Sequence, residues 1–298
     1  MGSKLVLGGP PREWGAAVEI YIATLDSEAT KHEYRRNVSG ALAILGGPAD
    51  ITPAALIKYR DQVAHQLGRL SGNTINMHLA SLRGFLKFCH LAGFINLSDD
   101  AIGRFLRNVK AHVVTPYQVL SKPEIAALLA SAQVNPRDHL LLSLALATGL
   151  RCAELCNIQV QDLIKDECGD SILRVRQGKG NKDRLVPIAG SIKPELDGYL
   201  LRAGLGSAPE RYLFESRNHT RRLSTARCRQ IITEYLHAAG ITKRISMHSL
   251  RHTAAITWIR AGASIVFVQK LLGHSKVDTT LRYAEHVEMD DLKGVVNL

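Results

Sequence analysis

Apolar residues recur at helical spacing through most of the chain, and the recurrence lapses in two places. Trp14, Val18, Ile22 and Leu25 stand three or four positions apart and predict a first amphipathic helix. Thr30-Lys31-His32-Glu33 has the form of a capping box, so a second helix is expected to open there, carry Tyr34, Arg35 and Arg36, and end at Gly46-Gly47-Pro48. Thr52-Pro53 supplies an N-cap and first turn for a third helix, closing near Gly68. Between Ser71 and Gly93, the residues Ile75, Leu79, Leu82, Leu86 and Cys89 make one apolar stripe. Asn73, Thr74, Asn76, Arg83 and Lys87 are left on the other faces. A further helical pattern runs from Asp99 to Val109.

The first lapse follows. Lys110 to Tyr117 reads as an extended linker, because Pro116 disfavours helix in the residue before it. A boundary there divides the chain into a helical domain over residues 1–110, a linker over 111–118 and a second domain over 119–298. The second domain opens with the capping box Ser121-Lys122-Pro123-Glu124, heading a helix through Ala132. A strongly apolar helix from Arg137 to Ala147 then ends at Thr148-Gly149. The second lapse lies between Ile158 and Ile188, where the period shortens. Ile172, Val175 and Leu185-Val186-Pro187-Ile188 read as strands, joined by the turn Gly178-Lys179-Gly180-Asn181-Lys182. Helical spacing returns at Lys193 to Ala203 and, behind Ser224 as N-cap, at Thr225 to Ala239. Ser246 caps a helix carrying His248 and Arg251 on one face. The run Ile265, Val268, Leu271, Leu272 stops at Gly273, leaving His274 just past a helix end. Ser275 or Asp278 caps a last helix, on which Leu281 is expected as a buried neighbour of Tyr283.

Charge changes this picture. The 298 residues hold 38 Lys plus Arg against 27 Asp plus Glu, a net +11 that favours a polyanionic partner, nucleic acid first. The stretch with Arg217, Arg221, Arg222, Arg227 and Arg229 lies near a helix start and suits a phosphate backbone. The polar face bearing Asn73, Thr74, Arg83 and Lys87 either contacts DNA or is simply solvated. No run of about 18 apolar residues and no signal-peptide core is present, so a cytoplasmic protein is expected. Five scattered cysteines without a Cys-x-x-Cys pair read as buried reduced thiols, and no metal is assigned. No phosphate-binding Gly-x-x-x-x-Gly-Lys-Ser/Thr loop is present, so phosphate chemistry is expected to proceed without ATP.

Arg151, Lys179, His248, Arg251, His274 and Tyr283 together supply two guanidiniums, an ammonium, two imidazoles and a phenol. Guanidiniums clamp the non-bridging oxygens of a phosphodiester, an ammonium protonates a leaving alkoxide, imidazoles move protons and a phenol attacks. Thr148-Gly149-Leu150-Arg151, Gly178-Lys179-Gly180, His248-Ser249-Leu250-Arg251-His252, Leu271-Leu272-Gly273-His274 and Thr279-Thr280-Leu281-Arg282-Tyr283 resemble the motifs of the tyrosine recombinase/integrase family.

The resemblance implies a mainly α fold with a small antiparallel sheet. A helical core-binding domain and a mixed α/β catalytic domain would close as a clamp on DNA. It implies that Tyr283 attacks the scissile phosphate to give a 3′-phosphotyrosyl link, that Arg151 and Arg251 hold the phosphate, and that Lys179 is the general acid. His248 would assist proton transfer and His274 would hydrogen-bond the phosphate. The covalent link keeps the energy of the phosphodiester, so no cofactor is expected. The implied partners are double-stranded DNA bearing recombination sites and three further copies of the chain. Two sites would be joined through a Holliday junction, with a dimer or monomer when free, and the tail Asp290 to Leu298 would dock on a neighbouring subunit. No membrane and no small-molecule substrate is expected. A type IB topoisomerase, or a DNA-binding architectural protein of the same fold without the chemistry, are the alternatives.

Overall fold

The computed structural model describes residues 14–66, 69–110, 117–176, 183–216 and 221–274, together with Thr280, Leu281, Tyr283 and Val287. The chain divides into two compact units, Met1–Val114 and Thr115–Leu298. Most of the expected linker, residues 111–116, lies outside the described residues.

The first unit is built from α1 (Trp14–Ala23), α2 (Glu28–Leu45), α3 (Pro53–Ala64), α4 (Gly72–Leu91) and α5 (Asp99–Phe105). α4 is its axis. Ile75, Leu79, Leu82, Phe85, Leu86 and Cys89 are wholly buried along one side of it, and the other four helices pack around them. Each large apolar side chain so buried stabilises by about 1.5–3 kcal/mol; the expected stripe forms the centre of a core to which Ile22, Val38, Leu56 and Ile102 of the surrounding helices also contribute.

Two boundaries differ from expectation. α2 opens at Glu28 behind Ser27, so Thr30 lies inside its first turn. A carboxylate in that turn suits the helix dipole, and Glu28 also pairs with Lys31 at 2.7 Å. α5 stops at Phe105 rather than near Val109 because side chains of α4 take over its backbone groups. Arg83 Nη1 donates to Leu106 O at 3.1 Å, while Asn76 accepts from Val109 N at 2.8 Å and donates to Val109 O at 3.1 Å. α3 ends at Ala64, and Gly68 lies outside the described residues.

The second unit holds α6 (Lys122–Ala132), α7 (Pro136–Thr148), α8 (Cys152–Cys156), α9 (Lys193–Arg202), α10 (Thr225–Ala238), α11 (Met247–Arg260) and α12 (Ile265–Leu272). It also holds the strands β1 (Leu163–Lys165), β2 (Ser171–Val175) and β3 (Arg184–Pro187). α7 is apolar nearly all round, and Leu140, Leu141, Leu142 and Leu144 are fully buried where α6, α9 and α11 surround it. The strands form one antiparallel sheet in the order β1-β2-β3, with Leu163 opposite Leu173 and Leu173 opposite Val186. β1 is too short for its period to be read alone. The β2–β3 connection, residues 177–182, lies outside the described residues, and Lys179 with it.

This is a mainly α architecture with one small antiparallel sheet, the class expected. Among the described residues no helix is long and apolar enough to cross a membrane.

The turn out of α7 fixes the approach to Arg151. Gly149 has φ 58°, and a Cβ there would lie 2.8 Å from Leu272 Cδ2. Only glycine meets both demands.

Candidate active site

α11 is the helix on which the site is assembled. Ser246 caps it, its hydroxyl accepting from Ser249 N at 3.2 Å. Its buried side holds Ser249, Arg251 and Thr253 beside Leu250, Ala254 and Ala255, an unusual load of polar groups. Arg251 is 1% exposed, and its guanidinium donates to Gly149 O at 2.8 Å and to Leu272 O at 2.5 Å. Burial and the neighbouring Arg151 depress its pKa to about 10, against the pull of Glu154, so it remains a cation at neutral pH.

Three guanidiniums hold the end of α12. Arg184 Nε donates to Leu271 O at 2.8 Å, Arg251 to Leu272 O, and Arg151 Nη2 to Gly273 O at 3.2 Å. The last carbonyls of a helix have no partner within it and carry its negative end, so cations are well placed there. Glu154 ties the set together, accepting from Arg151 Nη1 at 2.8 Å and from both terminal nitrogens of Arg184 at 2.9 and 2.8 Å. Burial resists ionisation of Glu154, yet the hydrogen bonds from Arg184 and from the Arg151 backbone prevail and bring its pKa down to about 2.

Gly273, at φ 64°, then turns the chain into His274. His274 Nδ1 lies 2.9 Å from the hydroxyl of Thr280, and its ring stacks on Tyr283 with centroids 6.2 Å apart. Burial, then the charges of Arg251 and Arg151, lower its pKa to about 4; the same causes lower that of His248. Both imidazoles are therefore neutral at pH 7.

Tyr283 is 1% exposed, and its hydroxyl lies 2.8 Å from Nδ1 of His252. His252 is packed edge-to-face with His248, centroids 4.4 Å apart, and lies against Tyr117 at 4.1 Å. Burial, and then Tyr117, raise the Tyr283 pKa to about 12, while Arg251 and Arg151 pull the other way. Leu281, expected as a buried neighbour, is 40% exposed instead; the buried residues of that turn are Thr280 and Tyr283. The reason is that Thr280 takes the inward position to hold His274. The proposed caps Ser275 and Asp278 lie outside the described residues.

Five of the six expected residues are thus gathered in one place, and a cavity of about 440 Å³ lined by Arg151, Arg229, His248 and Arg251 opens beside them. Sequence reasoning did not single out Glu154, Arg184, Tyr117 or the contact of His252 with Tyr283. His252 sits inside the motif quoted for His248 and Arg251, and Glu154 stands three residues past Arg151, which was the available signal.

Residues 118–289 match the phage integrase family. The chain belongs to that family. Among curated relatives, a tyrosine recombinase of Pseudothermotoga lettingae is 32% identical over 249 residues, covering 84% of this chain and 83% of the relative. The tyrosine recombinase XerA of Pyrococcus furiosus is 32% identical over 211 residues, 70% of this chain and 68% of the relative. Among solved structures, a XerA recombinase is similar with a TM-score of 0.50 at 30% identity, covering 91% of this chain and 93% of that one. A lambda integrase tetramer bound to a Holliday junction shares the fold, with a TM-score of 0.71 at 18% identity over 90% of this chain and 75% of that one. The family's enzymes break and rejoin DNA strands, and this is a tyrosine recombinase of that kind.

In this recombinase the basic residues outside the site are not equivalent. Asn73 and Thr74 are exposed at the start of α4, the Thr74 hydroxyl 2.8 Å from that of Ser71. Arg83 already donates to Leu106 O and to Asn108 Oδ1 at 3.0 Å, and Lys87 pairs with Asp99 at 3.3 Å. Asn76, counted with them as available, is spent on Val109. Arg221 and Arg222 are exposed, Arg227 pairs with Glu234 at 2.7 Å, and Arg217 lies outside the described residues.

Proposed function

We propose that this protein is a site-specific recombinase in which Tyr283 attacks a scissile phosphodiester of duplex DNA. The bond from Tyr283 Oη to phosphorus forms and the bond to the 5′ oxygen breaks, leaving a 3′-phosphotyrosyl link and a free 5′-hydroxyl. Arg151 and Arg251 hold the phosphate and offset its growing negative charge. His274, neutral, donates a hydrogen bond to it. His252 takes the phenolic proton, His248 assists proton transfer, and Lys179 protonates the leaving oxygen. The observation that carries this reading is the contact between Tyr283 Oη and His252 Nδ1 beside two buried or half-buried arginines. A phenol whose pKa lies near 12 needs an adjacent proton acceptor to become a nucleophile at neutral pH.

Both units are proposed to contact DNA, the first through Asn73, Thr74, Arg83 and Lys87 and the catalytic unit through Arg221, Arg222 and Arg227. Four copies, joined through the tail Asp290 to Leu298, would exchange strands between two sites through a Holliday junction, in the cytoplasm. The lambda integrase tetramer solved on such a junction supports the assembly by fold alone.

The test is to incubate the full chain with genomic duplex fragments, denature, and recover covalently bound DNA. The wild type should yield an adduct whose DNA defines the site. Tyr283→Phe should bind that site and lower adduct formation by about 10⁴-fold or more. An undiminished adduct from Tyr283→Phe would overturn the assignment, and relaxation of supercoiled DNA without exchange between paired sites would favour a topoisomerase.

A further inference from the structure

Cys152 and Cys156 stand one turn apart on α8, and Cys228 comes from α10, which packs against it. The three Sγ atoms lie within 4.8 Å of one another, and among the described residues no histidine or carboxylate joins the group. All three thiols are free. Cys156 and Cys228 are wholly buried, whereas Cys152 is half-buried and lines the cavity shared with Arg151, Arg229, His248 and Arg251.

Buried cysteines usually serve as small apolar side chains, and such a role asks neither for convergence nor for access. This cluster shows both. Sulfurs bound to zinc at about 2.3 Å sit roughly 3.8–4.0 Å apart, so the shell closes with shifts of under about 1 Å, within reach of small side-chain rotations. Three thiolates leave the fourth position of a tetrahedral ion vacant, and the half-buried side of Cys152 gives that position a route to solvent. Thiolates select soft cations over magnesium or calcium.

We propose that Cys152, Cys156 and Cys228 bind one zinc-class thiophilic cation, with its open coordination position toward the arginine-lined cavity. The ion would link α8, which begins directly after Arg151, to α10. The site is independent of the reaction assigned to Tyr283.

The full-length, reduced, metal-free chain is titrated with Cd²⁺ alone, following the thiolate-to-cadmium charge-transfer absorption in the ultraviolet. Saturation is expected at one ion per chain, with displacement by Zn²⁺ and a Zn²⁺-dependent rise in melting temperature. Cys168→Ser, at an exposed thiol, should leave the titration unchanged. Cys152→Ser should weaken binding by at least about 100-fold and abolish the zinc-dependent rise, since each thiolate carries a large share of the affinity. Cys228→Ser should do the same. If that buried substitution fails to fold, Cys152→Ser, at the half-buried position, decides. Wild-type affinity in Cys152→Ser, absorption that follows Cys168, or no absorption in metal excess would each overturn the proposal.

Discussion

α4, the axis of the first unit, and α11, the helix that carries the site of the second, solve opposite problems. α4 turns an apolar stripe inward, with Ser81 buried beside it and hydrogen-bonded to Asn37 and Met77 O, and leaves Arg83 and Lys87 at the rim, where they engage a carbonyl, an amide and a carboxylate of their own unit. α11 buries Ser249, Arg251 and Thr253 among its apolar residues. A buried cation is costly unless its donors are met, and Arg251 offsets much of that cost with two carbonyls from helix ends, although its buried Nε has no hydrogen-bond partner. Where the hydrophobic pattern is obeyed, the residues build a core. Where a buried charge breaks it and both terminal nitrogens of that charge are held by carbonyls, the residue belongs to the site.

The sharpest way to break this comparison is Arg251→Lys. Gly149 O and Leu272 O are held by two different nitrogens of a rigid fork that a single ammonium on a shorter stem does not reproduce, so a loss of about 2–5 kcal/mol is expected in urea unfolding, together with lost cleavage. A loss no larger than that of an α4 substitution would remove the distinction.

Acid should separate the two units next. The unfolded chain binds a proton at His274 near pH 6.5 while the folded chain does so only near pH 4. The unfolded state therefore holds more protons in that window, and stability falls as pH drops from 6.5 to 4. Glu154 then acts in the usual sense of a depressed carboxylate: its contribution is present above pH 4.5 and is lost as pH falls toward 2. With solvent screening, the histidine share is about 1–2 kcal/mol. His274→Gln should flatten the first part of the curve in unfolding measured at pH 7, 5.5 and 4, and an unchanged slope would contradict its buried neutral state.

The smallest stability effect is expected of Arg83→Ala, about 0.5–1.5 kcal/mol. Its value is in sharpening the contrast through DNA. If Arg83 exchanges its internal partners for a phosphate, the log–log salt slope of binding should fall by about 0.9. An unaltered slope would leave Arg83 a purely internal brace of α5.

Much of this was legible because it is local. The α4 stripe, the Ser121 to Glu124 box, and the left-handed glycines at 149 and 273 each depend on neighbours within a turn. What was not legible depends on partners far along the chain. The end of α5 is set by Asn76 and Arg83, which lie 23 to 33 residues away from their acceptors. Arg184 lies between the expected turn and the expected strand, where nothing local singles it out, yet it reaches Leu271 O across 87 positions. The thiols looked scattered because Cys228 is brought to Cys152 and Cys156 only by the packing of α10 on α8. Leu281 was placed by hydrophobicity, and the polar Thr280 displaced it because a histidine needed its hydroxyl.

The grip of Arg184, Arg251 and Arg151 on the successive carbonyls of residues 271, 272 and 273 has a consequence for mutational tolerance. A main-chain oxygen is present whatever side chain stands above it. Leu271 and Leu272 are thus free to drift among apolar residues of similar volume without disturbing the acceptors. A single inserted residue is another matter, for it would slide the carbonyls past their donors by one position and carry His274 out of place. This segment should accept changes of spelling but not of length.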